Sequence, residues 1–159
     1  MIIILIGVSG CGKTTIGSEL SKKVGCQFLD GDDFHPADNI RKMADAVPLT
    51  EEDRLPWLLT LRSEIERFLD SGEELVLACS ALSRESRNIL RRDSTKIRFV
   101  YLSGSKELIS QRLNDRTGHF MSAALLDSQF DALEEPDSAI VVSITQSPQQ
   151  IVDQLCDEL

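Results

Sequence analysis

Apolar residues fall along this chain in two alternating patterns. Runs that are apolar at nearly every position cover Ile2–Ile6, 75–79, 99–102 and 139–144, and a shorter, weaker run covers Gln27–Asp30. A strand with helices on both faces reads this way, whereas a strand with one wet face alternates. Between the runs the apolar spacing becomes three and four. Ile16, Leu20 and Val24 follow it, as do Leu58, Leu61, Ile65, Phe68 and Leu69. So do Leu126, Phe130 and Leu133, then Ile151, Val152, Leu155 and Leu159. That is the spacing of an amphipathic helix. The alternation predicts βαβ units, a parallel sheet and a three-layer α/β sandwich. Residues 36–55 and 118–136 keep no clear period. In this architecture such segments cap the carboxyl edge of the sheet, where ligands bind.

The 159 residues suit one domain, 1–159, with no Pro/Gly/Ser-rich linker to divide it. Seventeen basic residues against 26 acidic ones leave a formal charge of −9. A chain this acidic argues against general binding to nucleic acid or to an anionic membrane. An anionic substrate must then be held by a few local cations and backbone N–H groups against the global field. The apolar run at Ile2–Ile6 has no basic flank and stops at Gly7, too short for a signal segment or a membrane span. The cysteines, Cys11, Cys26, Cys79 and Cys156, are scattered singly, with no C-x-x-C and no His pair at metal spacing. This pattern argues against zinc and a disulfide framework and for a reducing, cytoplasmic setting.

Gly7-Val8-Ser9-Gly10-Cys11-Gly12-Lys13-Thr14 satisfies G-x-x-x-x-G-K-[ST], after a predicted strand and at the start of a helical pattern. Such a loop wraps an anion with inward-pointing N–H groups, and the helix behind it adds its positive end. Lys13 would reach the β- and γ-phosphates, the Thr14 hydroxyl would ligate Mg²⁺, and Thr15 closes the binding segment. The motif predicts a nucleoside triphosphate but does not by itself separate kinases from GTPases, motors or switches. Asp30-Gly31-Asp32-Asp33 ends the second strand. There Asp30 could hold the metal shell while Asp32 accepts a proton from a substrate hydroxyl. If the strand continues, Asp30 and Asp32 point the same way. Arg112 and Arg116 stand four apart and share a face on a helix.

Beyond the loop, several segments resemble the gluconokinases, small relatives of shikimate kinase. They are Asp30-Gly31-Asp32, His35-Pro36, Asn39-Ile40-Arg41-Lys42-Met43, Pro48-Leu49 and Asp53-Arg54-Leu55-Pro56-Trp57-Leu58. Cys79-Ser80-Ala81-Leu82, Arg116-Thr117-Gly118-His119-Phe120-Met121, Leu125-Leu126-Asp127-Ser128-Gln129-Phe130 and Leu133-Glu134 continue the match in order. The resemblance implies a P-loop fold of the nucleoside-monophosphate-kinase style, with a five-stranded parallel sheet. It also implies ATP- and Mg²⁺-dependent phosphorylation of D-gluconate, and a homodimer is common in the family. Its substrate segment would be about 31–57 and its lid about 114–124.

On this resemblance Lys13, Asp32 and Arg116 are catalytic, and Arg112 and Arg116 both belong to the nucleotide site, where one would lie over the adenine and the other reach the transferring phosphate. Arg54 would grip the substrate carboxylate bidentately. His35, Ser80, Ala81, Arg87, His119 and Gln129 would complete the substrate site. Trp57 reads as a core or lid anchor. The chain departs from the family at Cys11 (usually a small Ser), Ala46 (Gly), Ser83 (Lys) and Ser86 (aromatic). A thiol at a helix N-terminus has a lowered pKa, so alkylation of Cys11 is expected to inactivate, with ATP protecting. The other readings are a kinase for another sugar acid or small polyol, and a nucleotide-dependent regulatory module. A shikimate substrate is disfavoured because Cys79-Ser80-Ala81 stands where a triple glycine would be expected.

Overall fold

A computed structural model of the protein describes residues 1–91, 95–115 and 123–159. The strands are β1 (Ile2–Ile6), β2 (Gln27–Asp30), β3 (Leu75–Ala78), β4 (Ile97–Ser103) and β5 (Ile140–Ser143). They form one parallel sheet in the order β2-β3-β1-β4-β5. The helices are α1 (Lys13–Val24), α2 (Ala37–Ala44), α3 (Glu51–Ser71), α4 (Arg84–Arg91), α5 (Lys106–Asn114), α6 (Ala123–Ala132) and α7 (Pro148–Glu158).

The central strands are apolar throughout because each face meets its own core. Ile3 and Leu5 of β1, Val76 of β3 and Val100 and Leu102 of β4 pack with Leu20, Ile109, Val152 and Leu155. Ile2, Ile4 and Ile6, Leu75 and Leu77, and Phe99 and Tyr101 pack on the opposite side with Trp57, Leu61, Ile65 and Phe68. Side chains alternate across a strand, so a sheet covered twice needs apolar residues at every position. Burial of each large side chain contributes about 1.5–3 kcal/mol.

The edges deviate from this rule. β2 is only partly buried, and in β5 Val141 is 56% exposed, so the apolar run at 139–144 is not covered on both faces. Val24, the last apolar step of α1, is also exposed, one residue before the Gly25 cap. Two helical stretches lie where no period was legible. The only buried residue of α2 is polar, Asn39. α3 begins at Glu51, before its apolar stripe, because Thr50 and Asp53 form a reciprocal capping box. Pro56 therefore lies inside α3 rather than at its start.

The strand order reverses beside β1, between β3 and β1. This is the switch point at which open parallel sheets bind ligands. The loops after β1, β2 and β3 converge there.

Candidate active site

The phosphate cradle is the turn from Gly7 to the start of α1 at Lys13. Gly7, Gly10 and Gly12 all hold positive φ. A Cβ on Gly10 would also stand 2.8 Å from Leu113, so the loop has no room for a side chain there. The Lys13 ammonium lies across the loop and donates to the Gly7 carbonyl (2.8 Å) and the Val8 carbonyl (3.0 Å). The Thr14 hydroxyl donates to Asp30 Oδ2 at 2.6 Å. The two residues proposed as metal ligands are thus in direct contact, and both offer the hard oxygen donors that Mg²⁺ takes.

Cys11 behaves otherwise than expected. Its side chain turns into the core and is fully buried, which runs against the expected sensitivity to alkylation. Cys79 is likewise buried, and burial pushes its thiol up to about 12.

The strand does not continue past Asp30. A 3₁₀ turn over Gly31–Phe34 replaces it, with the Asp32 amide donating to Asp30 Oδ1. Asp30 therefore faces Thr14 while Asp32 is carried separately into a cavity of about 170 Å³. A Cβ on Gly31 would meet the Ala78 carbonyl at 2.6 Å, so glycine is what lets this turn close against β3. Ser9 and Lys13 of the cradle line the same cavity as Asp32, His35, Arg54, Ser80, Ala81 and Gln129.

Within the cavity His35 is fixed from three sides. Its ring stacks on Trp57 at 4.2 Å, and the Trp57 indole N–H donates to the Gly31 carbonyl at 2.7 Å. Buried Asn39 places its amide nitrogen 2.9 Å from the Asp53 carbonyl and 3.3 Å from His35 Nδ1. A carbonyl only accepts, so that nitrogen is the donor and His35 Nδ1 is the acceptor. The neutral imidazole therefore carries its proton on Nε2, which lies 3.9 Å from Asp32 Oδ1. Burial holds the imidazole below its usual 6.5, opposed by the Asp32 charge and reinforced by Arg54. Arg54 Nη1 donates to Glu51 at 3.0 Å and leaves the rest of its fork at the cavity wall. Lys42 bonds both oxygens of Asp53 and, with the Thr50 amide, holds that carboxyl down to about 2.

Cradle and cavity are hydrogen-bonded to each other. The Gly7 amide donates to the Ser80 carbonyl (3.3 Å), and the Ser9 amide donates to Gln129 Oε1 (2.6 Å). A second cavity behind the loop is bounded by Thr15, Arg112, Gln146 and Pro148. Arg112, one of the expected nucleotide-binding residues, is anchored there through the Ile144 carbonyl.

Residues 9–159 match the shikimate kinase family. The thermosensitive gluconokinase of Escherichia coli K12 is 47% identical over 135 residues, 85% of this chain and 72% of that protein. The crystal structure of a gluconokinase from Sinorhizobium meliloti 1021 superposes with a TM-score of 0.84 at 40% identity, covering 96% and 87% of the two chains. A sugar kinase from Janibacter sp. HTCC2649 superposes with a TM-score of 0.91 at 40% identity, covering 98% and 92%. The chain belongs to the gluconokinase family, within the shikimate kinase group.

As a gluconokinase-family fold, the structure sorts the expected site residues into three sets. Lys13, Asp32, His35, Arg54, Ser80, Ala81 and Gln129 come together in one cavity. Arg87 does not enter it. Its Nη1 donates to the Ala81 and Leu82 carbonyls from behind (3.1 and 2.8 Å), so it braces the cavity wall. Arg116, Gly118 and His119, with most of the 114–124 lid, lie outside the described residues. α5, which carries Arg112, ends at Asn114 with Asp115 as its cap.

Glu51, Met43 and Leu49 also line the acceptor-side cavity, and Gln146 and Pro148 line the cavity behind the loop. Met43, Leu49 and Glu51 fall inside the expected 31–57 segment without being singled out as site residues, and Gln146 and Pro148 were not anticipated at all. The position of 145–148 after the last strand, on the ligand-binding edge, is the signal that could have found the latter two. Ser83 and Ser86, two of the departures, touch each other at 2.9 Å on the cavity wall.

Proposed function

We propose that this gluconokinase-family kinase transfers the terminal phosphoryl group of ATP to D-gluconate, giving 6-phospho-D-gluconate. The supporting observation is the shared cavity, in which cradle residues Ser9 and Lys13 face Asp32, His35 and Arg54. An acceptor held there meets the phosphates directly.

Backbone N–H groups of 7–12 and the Lys13 ammonium hold the β- and γ-phosphates. Thr14 and Asp30 would hold Mg²⁺, which supplies charge neutralisation when bound. Arg54 binds the gluconate carboxylate, and the hydroxyl row is met by His35 Nε2–H, Gln129 and the backbone at Ser80 and Ala81. Asp32 orients the reacting hydroxyl and takes its proton. Arg87 keeps the Ala81 and Leu82 carbonyls in register. Phosphoryl transfer depends chiefly on such alignment and on charge neutralisation. Arg116 and His119 would act from the lid.

Among the described residues no helix is long and apolar enough to cross a membrane. The four cysteines are free thiols, which supports the cytoplasmic reading. The family's common homodimer belongs to the same proposal.

The test is ADP release from Mg-ATP in a coupled assay, with D-gluconate, shikimate, glycerate, other aldonates and no acceptor. Turnover confined to gluconate is expected. Strong turnover with a different acid would overturn the substrate and direct attention to Ser83 and Ser86. No turnover with any acceptor would overturn the assignment.

A further inference from the structure

A cleft on the far side of the acceptor wall is lined by Arg84, Arg87 and Arg91 of α4, with Phe99, Asp137 and Ser138. It encloses about 150 Å³, close to the acceptor cavity in size. The three arginines stand at i, i+3 and i+7, which puts them on one helix face.

Their hydrogen bonds are incomplete. Arg87 is 7% exposed, and only its Nη1 is bonded among the described residues, to the Ala81 and Leu82 carbonyls. Arg91 Nε is buried with no hydrogen-bond partner among the described residues. Its Nη atoms make only long contacts to Ser138, at 3.3 and 3.4 Å, while its guanidinium sits 4.9 Å over the Phe99 ring. Arg84 Nη2 pairs with Asp137, the one carboxylate of the lining, at 2.8 Å. Glu134 adds a second negative charge at the start of α4, where it accepts from the Arg84 amide.

The cleft is therefore rich in guanidinium donors and poor in acceptors, in a chain whose net charge is −9. A guanidinium has five N–H donors and no acceptor, and buried donors require partners. An acceptor-only, doubly charged group with several oxygens suits this lining best. We propose that this cleft is a second anion site, separate from the nucleotide cradle, that takes a phosphate group, free or as a small monoester.

The experiment uses the full chain saturated with Mg-AMPPNP, so that the cradle is already filled. Inorganic phosphate and glycerol 3-phosphate are titrated separately by calorimetry, against chloride at equal ionic strength. Inorganic phosphate is expected to bind and chloride not to. The Arg84→Gln/Arg91→Gln double variant should weaken phosphate about tenfold or more, with kcat/KM for the kinase reaction unchanged. Asp137→Asn should tighten phosphate binding, a gain that misfolding cannot imitate. Glycerol 3-phosphate binding that is lost in the double variant shows that the cleft also admits monoesters. Absence of phosphate binding to the AMPPNP-filled protein would overturn the proposal. So would equal binding by the double variant, or an equal response to chloride.

Discussion

The phosphate cradle and the acceptor cavity share a wall, yet they are built from different material. The cradle is a run of consecutive residues whose binding groups are mostly backbone N–H. One of its side chains, Cys11, is turned wholly into the core. Beyond the cradle's own Ser9 and Lys13, the acceptor cavity takes residues from segments at 32–35, 43–57, 80–86 and 125–132. The cradle therefore tolerates a change of side chain, such as Cys11 for serine, but no added Cβ where glycine holds positive φ. The cavity's selectivity rests instead on which side chains stand in it, although its backbone has fixed points of its own, Ala81 at φ +35° and Gly31 against the Ala78 carbonyl. ATP use should thus be robust to substitution and acceptor choice sensitive to it.

On the proposed function Lys13 is the exception on the cradle side, a side chain on which the phosphates would depend. Lys13→Met should lower kcat by about 10²–10³, the scale on which a positioned charge-stabilising donor acts. Loss of less than tenfold, read by coupled ADP release, would mean that backbone alone suffices. On the cavity side, Asp32→Asn should lower kcat by about 10², the lower end for proton transfer by a positioned group. AMPPNP affinity should be retained, and a parallel loss would place Asp32 in nucleotide binding.

A third prediction concerns pH. The folded state disfavours protonated His35, so the unfolded chain binds the extra proton first as pH falls. The stability held by neutral His35 is fully present above 6.5 and is lost as pH falls through the lower folded-state value. Urea unfolding at pH 7.5 and 5.5 should show a drop that His35→Gln reduces. An identical drop in both proteins would remove His35 from the account. Asp53 behaves alike at lower pH: its contribution is present above 3.8 and lost as pH falls through about 2.

The smallest expected effect lies at a departure from the family. Ala46 holds φ +56°, a left-handed conformation that alanine adopts at a cost and glycine freely. Ala46→Gly should stabilise by about 0.5–1 kcal/mol, the alanine strain less the extra unfolded-state entropy of glycine. Equal or lower stability in urea would show that the segment pays no strain there.

The same contrast explains what could be read from the chain alone. The cradle is contiguous and carries a fixed motif, so Gly7 to Thr15 was legible residue by residue. The three central strands were legible because two covered faces force apolar runs, and the edge strands β2 and β5, less covered, only as apolar runs whose burial is partial. α2 was not, since its sole buried side chain is Asn39, which contributes a hydrogen bond rather than an apolar beat. Lys13 and Asp32 were legible from the loop motif and the end of the second strand, but Arg54 and Gln129 only through resemblance, because nothing local marks them as neighbours of Asp32. Resemblance could not say that Arg87 points behind the wall, nor that Cys11 is sealed from solvent. Both depend on which way a side chain turns, and packing alone decides that.

The most direct test of this division of labour is Arg54→Gln, titrated by calorimetry with Mg-AMPPNP and, separately, with D-gluconate. Removing a bidentate carboxylate partner should weaken gluconate about tenfold or more while AMPPNP affinity stays within about twofold. Equal loss of both affinities, or unchanged gluconate binding, would contradict the claim that cavity side chains hold the acceptor while the backbone cradle holds the nucleotide.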